Sequence, residues 1–174
     1  VAFLRGMNIG KRRIKNDELL AYFEEMGFDN VSAFLASGNV IFATNKRSVA
    51  TLESELRAAL EVRFNCPVPT FVRGANEIEQ LARATPFSTA QLKGTTENIQ
   101  VVLLEKSPSA ATKKAMLELT PKEDQLVFEE KTLFWLPKRG ISDSDLKMSA
   151  LEKTVGPMTV RTQRTFRRLL PRLA

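Results

Sequence analysis

Histidine is absent from this chain of 174 residues, and that absence removes more chemistry than any other feature of the composition. Without imidazole, neither a Ser-His-Asp nor a Cys-His nucleophilic arrangement can be assembled from the chain alone. The commonest transition-metal ligand is missing as well. Cysteine is nearly absent. The single thiol, Cys66, excludes an internal disulfide framework. It precedes Pro67, has no imidazole to activate it, and reads as a small buried apolar residue. No apolar run approaches the roughly 20 residues that span a bilayer, and no signal-peptide pattern is found. A cytoplasmic protein with no membrane segment, no metal and no cofactor is the expectation. Aromatic surface is scarce, with one tryptophan (Trp135) and one tyrosine (Tyr22).

What is present describes an ordinary folded protein. Hydrophobic residues make up 43% and charged residues 26%, which argues against disorder. The formal net charge is +6, and the excess sits at the two ends. Arg5, Lys11, Arg12, Arg13 and Lys15 precede the first acid, Asp17. Lys153, Arg161, Arg164, Arg167, Arg168 and Arg172 follow the last, Glu152. Basic ends suit an anionic partner such as phosphate or nucleic acid, and equally suit a solvated surface.

Read in order, Val1 to Leu4 is wholly apolar and predicts a strand covered on both faces. The glycine-flanked loop Leu4-Arg-Gly-Met-Asn-Ile-Gly10 follows. Asn16 or Asp17 then caps a helix carrying Leu19, Leu20, Phe23 and Met26, with Gly27 as its stop. Strands are expected over Val31–Ala36 and Asn39–Ala43, joined tightly through Ser37-Gly38-Asn39. A helix opened by Asn45 or Ser48 buries Leu52, Leu56, Ala59 and Leu60, and Val68–Val72 is the fourth strand. The order β-α-β-β-α-β is that of a ferredoxin-like unit. A further helix is expected over about 75–84, ended by Pro86-Phe87.

The pattern then recurs. Ile99–Leu104 is a strand, and Pro108 stands in the first turn of a helix with Ala111, Ala115, Met116 and Leu119. Gln125–Glu129 and Thr132–Leu136 form a hairpin about Glu130-Lys131. Asp143 or Ser144 opens a helix with Leu146, Ala150 and Leu151. Met158–Arg161 is the last strand, before a basic helix with Phe166, Leu169, Leu170 and Leu173. Pro69-Thr-Phe-Val-Arg73 answers Pro157-Met-Thr-Val-Arg161, so Arg161 is the counterpart of Arg73. The fold class is therefore α+β, with two tandem ferredoxin-like units and appended helices. The first unit with its connecting helix spans 1–87, a polar linker 88–98, and the second unit with its basic terminal helix 99–174.

One ferredoxin-like unit invites comparison with RNA-recognition modules, which stack bases on exposed aromatics. The third strand, Asn39-Val-Ile-Phe-Ala43, lacks the required basic-Gly-aromatic pattern. Phe3 and Phe42 read as core, and Trp135, beside Phe134 on a hairpin strand, is the one candidate for stacking, with core packing as its alternative. With these residues in hand, the chain resembles a bacterial family known only as domain of unknown function 1697. Leu4, Arg5, Gly6, Asn8 and Gly10 match the family's Leu-Arg-Gly-x-Asn-x-Gly. Ser37, Gly38 and Asn39 match its Ser-Gly-Asn, and Thr85-Pro86-Phe87 stands for its Asn-Pro-Phe. Thr159, Arg161 and Thr165 match a C-terminal Thr-x-Arg-Asn-x-Asn-Thr, in which Thr162 and Arg164 replace asparagines. The resemblance implies two ferredoxin-like units and brings no established activity.

The candidate site is an anion pocket at the seam between the repeats. Arg5, Arg73 and Arg161 would be its cations, Asn8 a neutral donor, and Gly6 and Gly10 the hinges that let backbone N–H groups reach a phosphate or carboxylate. Ser37 and Asn39 are supporting turn residues. They are expected at the opposite strand end from Arg5, because the first and third strands are read as parallel. The alternatives are non-specific nucleic-acid binding through Lys11, Arg12, Arg13 and the Arg164, Arg168, Arg172 stripe, or a protein-interaction scaffold. No reaction is assigned. Glu123-Asp124 and Asp143-Ser144-Asp145 are carboxylate pairs without the spacing of a metal loop, and the latter suits a helix N-terminus.

Overall fold

The computed structural model of the chain describes residues 1–6, 14–35, 38–46, 48–95 and 98–173. Two units are present, one formed by Val1–Glu77 with Leu173 and the other by Ile78–Arg172. Each carries one four-stranded antiparallel sheet within a mixed α+β architecture.

In the first unit the elements run β1 (Ala2–Leu4), α1 (Asn16–Glu25), β2 (Asp29–Ala33), β3 (Asn39–Ala43), α2 (Val49–Phe64) and β4 (Thr70–Val72), after which α3 (Ala75–Arg83) begins. The sheet order is β2-β3-β1-β4. Helix α1 buries Leu19 and Phe23, one turn apart. Helix α2 buries Leu52, Leu56 and Leu60 at four-residue spacing, each full burial contributing about 1.5–3 kcal/mol. Ser48 caps α2 by accepting from Thr51 N at 3.2 Å, and Asn65 in the left-handed region ends it. The core joins these side chains to Ala2, Leu4, Val40 and Val72 of the sheet. The rings of Phe23, Phe28 and Phe42 pack against one another at 4.7–5.7 Å between centroids.

The second unit takes in the rest of α3 and α4 (Thr89–Leu92), which lies inside the stretch read as a polar linker. It continues with β5 (Gln100–Leu104), α5 (Ala110–Leu119), β6 (Gln125–Glu129), β7 (Thr132–Leu136), α6 (Met148–Val155), β8 (Met158–Thr162) and α7 (Gln163–Leu169), which runs into a 3₁₀ turn at Leu170–Arg172. Its sheet order, β6-β7-β5-β8, reproduces that of the first. Strands β5 and β7 are buried at every position, with the apolar runs Val101–Leu104 and Leu133–Leu136 preceded by the buried polar residues Gln100 and Thr132.

Three expectations are corrected. The central strands β1 and β3 are antiparallel, with Ala2 opposite Val40 and Phe3 opposite Asn39. Helix α1 carries the chain back, so β2 runs with β1, and the hairpin then reverses it once more. Secondly, the helix expected from Asp143 or Ser144 starts at Met148. Ser144 is held instead in a turn, where its hydroxyl donates to Asp124 Oδ2 at 2.5 Å and accepts from Leu146 N at 3.0 Å. Thirdly, Pro108 stands outside α5, whose cap is Ser109, accepting from Thr112 N at 3.1 Å.

Strand β4 is an edge, and α2 covers its outward backbone. Glu53 Oε2 accepts from Val72 N at 2.8 Å, and Arg57 Nη2 donates to Thr70 O at 3.3 Å. Glu53 and Arg57 are one turn apart on the helix, so one face of α2 meets alternate residues of the strand.

Candidate functional site

The antiparallel pairing brings two of the singled-out motifs to one end of the first sheet. Arg5 and Gly6 leave β1 where Gly38 and Asn39 enter β3. Leu4 N donates to Gly38 O at 2.7 Å, and Arg5 N donates to Pro69 O at 2.9 Å. Gly6 (φ 80°) and Gly38 (φ 69°) both hold left-handed backbone, which glycine adopts without the Cβ penalty. The Arg5 side chain is half-buried. Asn39 is occupied within its hairpin: its Nδ2 donates to Phe34 O at 2.8 Å while Phe34 N donates to Asn39 O at 2.9 Å. Asn8, Gly10, Lys11, Arg12, Arg13 and Ser37 lie outside the described residues.

Arg73 lies at the other end of β1, where its N donates to Val1 O at 3.0 Å. It is 3% exposed and sits between two carboxylates, Glu53 and Glu77, each at 3.7 Å. Burial pushes its pKa below the ordinary arginine value, while Glu77 and Glu53 oppose that shift. Its Nη1 also donates to Val72 O at 2.8 Å.

In the second unit Arg161 occupies the matching station. Val160 pairs with Val102 as Val72 pairs with Ala2, and Arg161 Nη1 donates to Val160 O at 2.8 Å. The same Nη1 lies 2.8 Å from Thr159 Oγ1. Burial lowers its pKa to about 10, so it is still protonated at neutral pH.

A cleft of about 800 Å³ opens in the second unit beside the start of α7. Thr162, Arg164 and Arg167 line it together with Leu92, Asn98 and Ile99. Its α7 residues are tied down by long-range bonds. Gln163 Nε2 donates to Leu81 O at 3.1 Å and to Ala84 O at 2.7 Å. Arg167 Nε donates to Ala82 O at 3.1 Å, and its Nη2 to Gln163 Oε1 at 3.0 Å. These bonds cap the C-terminal carbonyls of α3, with a cation at the negative end of the helix dipole. The sequence reading placed Arg167 in the basic end, flanking the Arg164, Arg168 and Arg172 stripe, and did not single out Gln163. The four-residue spacing of Gln163 and Arg167 was the one available signal. Arg164, Arg168 and Arg172 are all exposed.

Of the acidic pairs, Asp124 is engaged in hydrogen bonds inside the unit. Asp124 is buried and accepts from Trp135 Nε1 (3.0 Å) and Lys138 N (2.9 Å) as well as from Ser144. Trp135 is fully buried, so of its two readings the structure takes core packing and leaves no ring face for a base. Among the described residues no cluster of acidic or cysteine side chains could hold a metal ion, and no helix is long and apolar enough to cross a membrane.

No curated protein sequence matches the chain. Among solved structures, the fold is similar to that of the conserved bacterial protein SP0830 from Streptococcus pneumoniae. The TM-score is 0.75 at 18% identity, over 99% of this chain and 97% of that one. The profile of the family described as protein of unknown function DUF1697 matches residues 1–134. By that match the chain belongs to the DUF1697 family.

Proposed function

We propose that this protein binds a small ligand bearing a phosphate or carboxylate group, with Arg5 as the principal donor in the first unit. The carrying observation is the antiparallel β1–β3 pairing, which gathers Arg5-Gly6 and Gly38-Asn39 at one sheet end. Two glycine-bearing turns beside a half-buried guanidinium leave backbone close to an approaching anion, and the arginine fork fits either anion with two parallel bonds. Asn8 and Gly10 belong to the same motif and complete the proposal. Arg73 is left out because its charge is matched inside the unit by Glu53 and Glu77. On the same reading each unit is ferredoxin-like, supported by the shared element order and sheet order.

The test is calorimetric titration of nucleotides, sugar phosphates and dicarboxylates into wild type, Arg5→Ala and Arg5→Lys. Losing a charge-assisted pair of about 1.5–3 kcal/mol weakens binding at least tenfold in Arg5→Ala, and Arg5→Lys recovers part of it. A panel that wild type ignores, or binds no better than Arg5→Ala, overturns the reading.

A second reading, association with nucleic acid, is favoured by one observation. Arg164, Arg168 and Arg172 are exposed at four-residue spacing along α7 and its 3₁₀ extension. Its sign is oligonucleotide affinity that collapses as salt rises.

A further inference from the structure

The cleft beside α7 is built entirely from second-unit residues and owes nothing to the Arg5 loop. Its two arginines have different roles. Arg167 is fixed by its Nε bond to Ala82 O and its Nη2 bond to Gln163 Oε1, and Gln163 is fixed in turn by two carbonyls of the α3 end. The guanidinium plane is thus set before any ligand arrives, which removes much of the ordering cost of binding. Its Nη1 meets no acceptor among the described residues. Arg164 precedes it by three residues on the same helix face and is exposed.

Neither arginine is within ion-pair distance of a carboxylate among the described residues. Like charges three residues apart repel, and an anion bound between them relieves that repulsion. Thr162 and Asn98 add neutral polar groups, while Leu92 and Ile99 supply apolar wall. A volume of about 800 Å³ suits a metabolite-sized molecule.

We propose that this cleft is a binding site for a small organic acid. Its phosphate or carboxylate group lies on Arg164 and Arg167, and its apolar part rests on Leu92 and Ile99. Phosphate monoesters of aromatic or branched alcohols, and carboxylic acids with an aromatic or branched body, have the right combination of head and body.

The experiment uses the full chain, labelled with nitrogen-15, and follows amide shifts on titration with phenyl phosphate, benzoate, inorganic phosphate and neutral benzyl alcohol. Phenyl phosphate is expected to give saturable shifts at Leu92, Ile99 and Thr162–Arg167, with inorganic phosphate weaker and benzyl alcohol weaker still. Arg164→Gln reduces the phenyl phosphate affinity about tenfold, the loss of one charge-assisted interaction, and Arg167→Gln reduces it at least as much. Arg167 also caps α3, so the exposed Arg164 variant carries the test if Arg167→Gln does not fold. Lys114→Gln, which removes one charge from an exposed site on α5, binds as wild type does. The proposal is overturned if benzyl alcohol binds as tightly as phenyl phosphate or if Lys114→Gln is weakened as much as Arg164→Gln. It is equally overturned if shifts fail to saturate at these amides. Shifts confined to Arg5 and Gly6 would speak for the first-unit site alone.

Discussion

Asp124 concentrates three donors on one carboxylate: an indole N–H, a backbone N–H and a hydroxyl. All three come from residues 11 to 20 positions away, so this single side chain ties the β6–β7 hairpin to the turn before α6. Removing it leaves buried donors without partners, each costing about 1–3 kcal/mol. Asp124→Ala should therefore lower stability by about 3 kcal/mol or more, and Ser144→Ala by about 1 kcal/mol, the net worth of one hydrogen bond. The sole tryptophan reports the change: its emission should shift to the red in Asp124→Ala as the indole loses its partner and packing loosens. Urea midpoints within error of wild type would show that the carboxylate is dispensable. Sequence reading saw Asp124 as half of an acidic pair in a turn, because pairings across such separations leave no local pattern. The strand end at Arg5 was legible for the opposite reason. Its neighbours Leu4 and Gly6 announce a strand end and a backbone bend within three letters.

Helix α2 and strand β4 form the best-defined joint between elements. Glu53 accepts from Val72 N and balances Arg73, while Arg57 reaches Thr70 O. Glu53→Ala strips both an acceptor and a countercharge from a buried arginine, a class of change that costs about 3–5 kcal/mol. Glu53→Gln keeps an oxygen for the Val72 amide and should lose about half as much, since only the charge is gone. Chemical denaturation of the two variants decides the matter, and equal losses would mean that the hydrogen bond is immaterial. Helix α2 was legible because its burial has a period, Leu52, Leu56 and Leu60, and the 125–129 and 132–136 hairpin because two apolar runs flank Glu130, whose φ of 45° makes the turn. The start of α6 was not. Ser144 offers the same hydroxyl to a helix cap or to a distant carboxylate, and only tertiary structure chooses between them. The relative direction of β1 and β3 was misjudged because side chains that alternate in and out carry no arrow. Counting chain reversals would have given it.

At the scale of the whole chain, repetition and charge dominate. The five-residue echo ending in Arg73 and Arg161 was readable in the letters, and both segments hold the same register in their sheets. The surroundings of the two arginines differ, because the acids Glu53 and Glu77 come from positions that the echo does not reach. Net charge of +6 makes general attraction to polyanions unavoidable at low salt, so specificity must be judged from its slope. If Arg164, Arg168 and Arg172 are the contacts, the logarithm of affinity for a DNA duplex should fall with the logarithm of salt at a slope of about −2.7. Replacing all three by glutamine should flatten it. A slope that survives the triple replacement would move the interaction elsewhere on the surface. The joint at β4 has a consequence for solubility. A neighbouring molecule that lays its own backbone along this margin must first displace Glu53 from Val72 N and Arg57 from Thr70 O. Whatever loosens α2 also unmasks a template, so fibril seeding from this margin requires partial unfolding first.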